Sequence, residues 1–173
     1  MTQLSSTFRI CDLGIPQFFL GVKALYTPGV VVLSQRRYMT ELLRKAGMDS
    51  CKPLATPITA ATSTPSVDSS PMDDPTLYRQ LVGSLMYLLV TRPDLSFAVN
   101  RLCQIMHDPK QDNWVALKRV LRYVKGTQHL ALRLTGSASP VVHAFSDSDW
   151  AGRSLDRKST AGYAVFIGPN LVS

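Results

Sequence analysis

The sequence predicts an α+β protein, and three observations predict it. Branched and aromatic runs around a turn open the chain as a β-hairpin. Three middle stretches carry apolar residues at helical spacing, and after residue 128 the period returns to two. Apolar residues make up 45% of the 173 positions, enough to build a packed core and to exclude wholesale disorder.

Phe18 to Leu25 and Val30 to Leu33 are the hairpin strands, with Thr27-Pro28-Gly29 supplying turn chemistry between them. Ser34 is placed to cap a helix whose stripe is Tyr38, Met39, Leu42, Leu43 and Ala46, and Gly47 is placed to stop it. Arg37 and Glu41, four apart, are expected to pair on its wet face. These residues form a first region, 1–47.

From 48 to 75 the chain is dense in Pro, Ser, Thr and Asp, which reads as a linker running over the surface. The region 76–127 follows as a small helical bundle. Its first helix shows Leu77, Leu81, Leu85 and Leu88, with Gly83-Ser84 small enough for another helix to approach closely. Thr91-Arg92-Pro93-Asp94 breaks and restarts the pattern, Pro93 suiting a first helical position and Asp94 the positive end of the dipole. Leu95, Ala98, Val99, Leu102 and Met106 continue as the second stripe. A third helix, from about Asn113 to Lys125 and ended by Gly126, buries Trp114, Leu117, Leu121 and Val124. In 128–173, Leu130 to Leu134, Val141 to Phe145, Ser159 to Ile167 and Leu171-Val172 read as a β-meander that stops abruptly, leaving an exposed edge.

The chain carries 19 Lys+Arg against 12 Asp+Glu, a net charge of +7 that favours a polyanionic partner. Lys118, Arg122 and Lys125 share the third helix's polar face and are candidate contacts to a phosphate backbone; a solvated helix face is the plainer reading. Cys11, Cys51 and Cys103 have neither zinc spacing nor an even disulfide framework, so a reducing, intracellular, cytoplasmic setting is expected. The first ten residues lack the apolar core of a signal peptide, and Leu85 to Val90, the longest apolar run, is too short to span a bilayer. His107, His129 and His143 have no nucleophile or ligand partner at useful spacing.

Several strings occur in an unbroken order: D-L-G-x4-F-F-L-G-V (Asp12 to Val22), L-S-Q-R-R-Y (Leu33 to Tyr38), Y-R-Q-L-V-G-S-L-M-Y-L (Tyr78 to Leu88), T-R-P-D-L-S-F-A-V-N (Thr91 to Asn100), L-R-Y-V-K-G-T (Leu121 to Thr127), S-D-S-D-W-A-G (Ser146 to Gly152) and R-K-S-T-A-G-Y (Arg157 to Tyr163). Together they resemble the Pol polyprotein of copia-type LTR retrotransposons over nearly the whole chain. The resemblance implies the end of a reverse transcriptase, with a palm-side hairpin and a thumb- and connection-like bundle, followed by truncated RNase H-like strands. It makes Asp147 an inherited RNase H carboxylate, with Asp149 beside it as a partial metal cage. Both would serve Mg2+ in the parent protein, and no cofactor is expected for the isolated chain.

Two-metal phosphoryl chemistry needs several clustered carboxylates. In the family a Tyr-x-Asp-Asp turn belongs upstream of Asp12, and these residues contain none; Asp73-Asp74 has the wrong flanks. The glutamate-bearing helix of RNase H would follow Ser173. A catalytically incompetent fragment with weak RNA or DNA binding, and no membrane association, is the expectation. A different class of function also finds a string: Arg119-Val120-Leu121-Arg122 spells the R-x-L-R motif of secreted oomycete effectors, which would act on a host plant factor after secretion and delivery. Here Arg119, Leu121 and Arg122 lie deep in a helix, with Leu121 on its apolar stripe.

Overall fold

The computed structural model describes residues 14–59, 70–138, 141–149 and 159–173. Asp12, Cys11, the middle of the Pro-rich stretch, Trp150 and Arg157-Lys158 lie outside the described residues.

The fold is α+β, with two small antiparallel sheets and four α-helices among the described residues. The strands are β1 (Phe18–Phe19), β2 (Val22–Thr27), β3 (Val30–Ser34), β4 (Leu132–Thr135), β5 (Val142–Asp149), β6 (Thr160–Ile167) and β7 (Asn170–Leu171). The helices are α1 (Arg36–Lys45), α2 (Pro75–Leu88), α3 (Ser96–Cys103) and α4 (Gln111–Gly126), with a 3-10 turn at Pro93–Leu95 before α3. Strand order is β1-β2-β3-β4 in one sheet and β5-β6-β7 in the other. Among the described residues, no helix is long and apolar enough to cross a membrane.

Two compact units divide the chain, the described residues of Met1–Ala24 with Ser34–Ala131, and Leu25–Leu33 with Leu132–Ser173. The first contains the helical core. Met39, Leu42 and Leu43 of α1 meet Tyr78, Leu81, Val82, Leu85 and Leu88 of α2, with Leu95, Ala98, Val99 and Leu102 around α3 and Leu117, Val120, Leu121 and Val124 of α4. These are the stripes the spacing predicts, each buried face following the 3.6-residue period. Gly47 ends α1 at φ +64, a left-handed conformation that costs glycine nothing. Arg37 and Glu41 pair at 3.1 Å on the exposed side. At the start of α2, Pro75 occupies the first turn and Asp74 accepts from the Leu77 N–H at 2.9 Å.

The second unit holds β3 against β4, in register from Val30↔Thr135 to Leu33↔Leu132, and the hairpin β5–β6, from Val142↔Ile167 to Asp149↔Thr160. The expected C-terminal meander is therefore corrected at its first strand. Leu132–Thr135 joins the N-terminal hairpin, because the branched run Val30 to Leu33 needs a partner on its second edge. Asn170 closes the end of β4, accepting from the Thr135 N–H at 2.7 Å and donating to its carbonyl at 2.8 Å.

Other expectations also shift. Residues within 48–75 are tied down where described. Met72 is buried in the helical core, Ile58 packs against it, and Pro71 bridges to Lys110. Gly83 is exposed with nothing near its missing Cβ, so it is no helix-approach point; Tyr38 instead donates to the Ser84 carbonyl at 3.2 Å. Helix α1 begins at Arg36 behind Gln35, while the Ser34 hydroxyl still accepts from the Arg36 N–H at 3.4 Å. Asp94 lies in the 3-10 turn and bonds to Arg92.

Candidate functional site

Helical geometry puts Lys118, Arg122 and Lys125 on one side of α4, all half-buried. Arg122 is engaged within the protein: its Nε donates to the Lys52 carbonyl at 2.7 Å, and its own carbonyl accepts from the Leu54 N–H at 3.2 Å. Arg119 donates to the Thr56 hydroxyl at 2.9 Å. Gly126 admits the same segment, since a Cβ there would come within 3.0 Å of Pro53 Cβ. Arg119, Arg122 and Gly126 thus strap residues 52–56 onto α4. The Lys118 ammonium lies 5.7 Å from the Trp114 ring centre, a cation–π distance. Lys118 and Lys125 are charges of this face outside any ion pair among the described residues. Leu121 is fully buried, so the folded helix does not display Arg119, Leu121 and Arg122 together as a linear ligand.

Asp147 lies within β5, exposed, opposite Gly162, and accepts from the Ser148 N–H at 2.8 Å. The register pairs Asp149, two residues on, with Thr160. Among the described residues no group of three or more His, Cys, Asp or Glu could hold a metal ion. Mg2+ takes one or two carboxylates plus water and substrate oxygens. Asp147 fits as one ligand of such a site and does not assemble one.

The residue that sequence reasoning missed is Arg92. Only 1% exposed, it uses all five N–H donors. Nε and Nη2 hold the two Asp94 carboxylate oxygens at 2.9 and 2.8 Å. Nη2 and Nη1 reach the Thr127 hydroxyl and carbonyl at 2.8 and 3.0 Å, and Nη1 also meets Met39 Sδ at 3.6 Å. Tyr123 donates to Asp94 at 2.9 Å, its ring 5.7 Å from the guanidinium. Beside this cluster Thr91 donates to buried Gln35 at 2.8 Å, and Gln35 donates to the Tyr87 carbonyl at 3.4 Å.

Four of the strings noted in the sequence therefore meet in space: L-S-Q-R-R-Y through Gln35, Y-R-Q-L-V-G-S-L-M-Y-L through Tyr87, T-R-P-D through Thr91, Arg92 and Asp94, and L-R-Y-V-K-G-T through Tyr123 and Thr127. Burial pushes the Asp94 carboxyl up, but the Arg92 and Tyr123 hydrogen bonds and the Arg92 charge outweigh it and hold it below the ordinary carboxylate value. Burial, and then the bond to Asp94, raise the Tyr123 phenol. The cluster does structural work, fixing the joint between α2 and α3 to the end of α4. A signal for it was present, since an arginine before proline in a turn between two apolar stripes is badly placed to stay in water.

No protein-family model matches the chain, and no solved structure matches it. Among curated proteins, an uncharacterized mitochondrial protein of Arabidopsis thaliana is 46% identical over 99% of this chain and 71% of its own length. The retrovirus-related Pol polyprotein from transposon RE2 of Arabidopsis thaliana is 45% identical over 98% of this chain. Secreted RxLR effector protein 161 of Plasmopara viticola is 45% identical over 56% of this chain and 68% of the effector. The class of protein is thus a retroelement-related α+β segment. The chain belongs to the copia-type retrotransposon Pol family. It spans 12% of the RE2 polyprotein's length.

Proposed function

We propose that this chain is the segment of a copia-type Pol in which the reverse transcriptase thumb and connection pass into the first RNase H strands. What supports the reading most is the 45% identity to a Pol polyprotein across 98% of the chain. The packing around Arg92 adds a reason for four of the shared-looking strings to stand in one segment. Its own contribution to function is nucleic-acid contact of low affinity in an intracellular setting. Lys118 and Lys125 face the phosphates, while Arg122 acts as a strap. Asp147 is the inherited carboxylate, one ligand of a two-metal RNase H site, and because the described residues gather no group of three metal-binding side chains, no cleavage by the chain alone is expected.

The experiment is an RNA–DNA hybrid incubated with the chain and Mg2+. The expected result is an intact hybrid that is nonetheless retained on a filter at low salt. Cleavage abolished by Asp147→Ala would overturn the incomplete-site reading.

A second reading has one observation in its favour, the match to an RxLR effector of Plasmopara viticola over 56% of this chain. On that reading the chain acts in a host plant cell. Expression in leaf tissue would then change cell death or defence signalling, and the change would survive Asp147→Ala. The Pol reading expects no such phenotype.

A further inference from the structure

Residues 52–56 lie along α4, held by bonds from Arg122 Nε to the Lys52 carbonyl, from the Leu54 N–H to the Arg122 carbonyl, and from Arg119 Nη2 to the Thr56 hydroxyl. On either side of this stretch, Met48 and Ile58 pack against the helical core, so it is a short span between two apolar anchors. Both acceptors it offers the guanidinium groups are neutral, a main-chain carbonyl and a hydroxyl. The segment 50–59, S-C-K-P-L-A-T-P-I-T, has no acidic residue and brings a further cation, Lys52. Neither Arg119 nor Arg122 is in an ion pair among the described residues.

Arg119 is worse served still. Its Nε is buried and meets no acceptor among the described residues. An unmet donor on a charged group costs more than an ordinary unmade bond. A guanidinium is a rigid fork suited to an oxyanion, and its bonds to one are about twice as strong as bonds between neutral groups. The span therefore covers two arginines and leaves them under-satisfied.

Their place on the helix says which anion suits them. Arg119 and Arg122 are one turn apart, and Arg122 stands four residues after Lys118 and three before Lys125. Helical geometry gathers all four cations on one side of α4, along a rise of about 10 Å from 118 to 125. A row of that length meets successive phosphates of a nucleic-acid strand, which carries one charge per about 3.4 Å of axis.

We propose, on the reading that this side of α4 meets nucleic acid, that residues 52–56 are a displaceable cover over a latent phosphate site formed by Arg119 and Arg122. With the cover down, Lys118 and Lys125 make the contact alone. With it lifted, the strand gains two guanidinium groups, and four cations share the contact.

The test compares RNA–DNA hybrid binding across a salt series for the full chain and for two forms with a weakened cover. Leu54→Pro with Thr56→Ala removes the N–H on the Arg122 carbonyl and the hydroxyl on Arg119. Gly126→Ala presses on Pro53 from the helix side, and far-UV circular dichroism checks the fold of each form. Wild type should show a log–log slope of about −2. Both weakened forms should bind about tenfold or more tightly at the lowest salt, with a slope of about −4. Adding Arg119→Gln and Arg122→Gln to the first of them should return the slope to about −2. By linkage, hybrid added to wild type should speed amide exchange at Leu54, whereas a purely structural strap would be unmoved or protected. Weakened forms that both keep the wild-type slope, or a Leu54 amide that hybrid protects, would overturn the proposal. The wild-type slope and its dependence on Lys118 and Lys125 judge the underlying nucleic-acid reading separately.

Discussion

Arg92→Lys keeps the positive charge of the buried arginine and removes its fork, which makes it a sharp probe of the helical unit. The guanidinium bonds both oxygens of Asp94 and both acceptors of Thr127, at 2.8 to 3.0 Å. An ammonium in the same place donates from one atom, and can keep one oxygen on each partner. Two charge-assisted bonds are then lost, each worth about 1.5–3 kcal/mol. Asp94 is 38% exposed and water can take up its freed oxygen, so the lower end applies to that bond. The expected loss is about 3–4.5 kcal/mol, or a fall in melting temperature of roughly 10 °C. Urea unfolding followed by circular dichroism reads this directly as a shift in midpoint at unchanged slope. Stability within about 0.5 kcal/mol of wild type, the scatter of ordinary surface substitutions, would refute the view that Arg92 organises this unit.

The Asp94 carboxyl titrates below its ordinary value in the folded chain, so its contribution is full above the unfolded value, about pH 4, and is lost as pH falls through the folded one. Asp94→Asn should therefore lower stability at neutral pH and flatten its decline in acid, measured by urea midpoints from neutral pH downward. Gly126→Ala presses a Cβ to 3.0 Å from Pro53 and should cost about 1–2 kcal/mol, with the excess protease sensitivity confined to residues 51–59. Tyr78 is buried and donates to the Leu102 carbonyl at 3.1 Å, and its phenol is pushed well above its ordinary value by burial, then by Cys103. Tyr78→Phe should cost about 1 kcal/mol, and ultraviolet titration should show one tyrosine fewer ionising with unfolding in alkali.

The helical unit was legible in the sequence because burial imposes its period on four stripes, and Leu81, Leu85, Leu117 and Leu121 keep that period without interruption. What stayed hidden depends on pairings between distant residues. Arg122 is diverted to a main-chain carbonyl 70 positions away, and no local pattern announces a carbonyl. Gly126 reads as a helix stop and serves also as the gap that admits Pro53. Leu132–Thr135 alternates like the first strand of a meander, and alternation does not say which strand it will meet. The polar face of α4 was legible from spacing, but its division into straps (Arg119, Arg122) and lysines outside any described ion pair (Lys118, Lys125) needed the fold. Asp147 was singled out through its string, and the structure places it exposed on β5 opposite Gly162.

The central claim, that this is a nucleic-acid-contacting segment of a Pol, is tested most directly by filter binding of an RNA–DNA hybrid across a salt series. Two phosphate-directed lysines predict weak retention at low salt, with log affinity falling against log salt at a slope of about −2. Lys118→Glu with Lys125→Glu should abolish retention, while Asp147→Ala should leave it. No retention at the lowest salt, or a slope and affinity unmoved by the double substitution, would contradict the account.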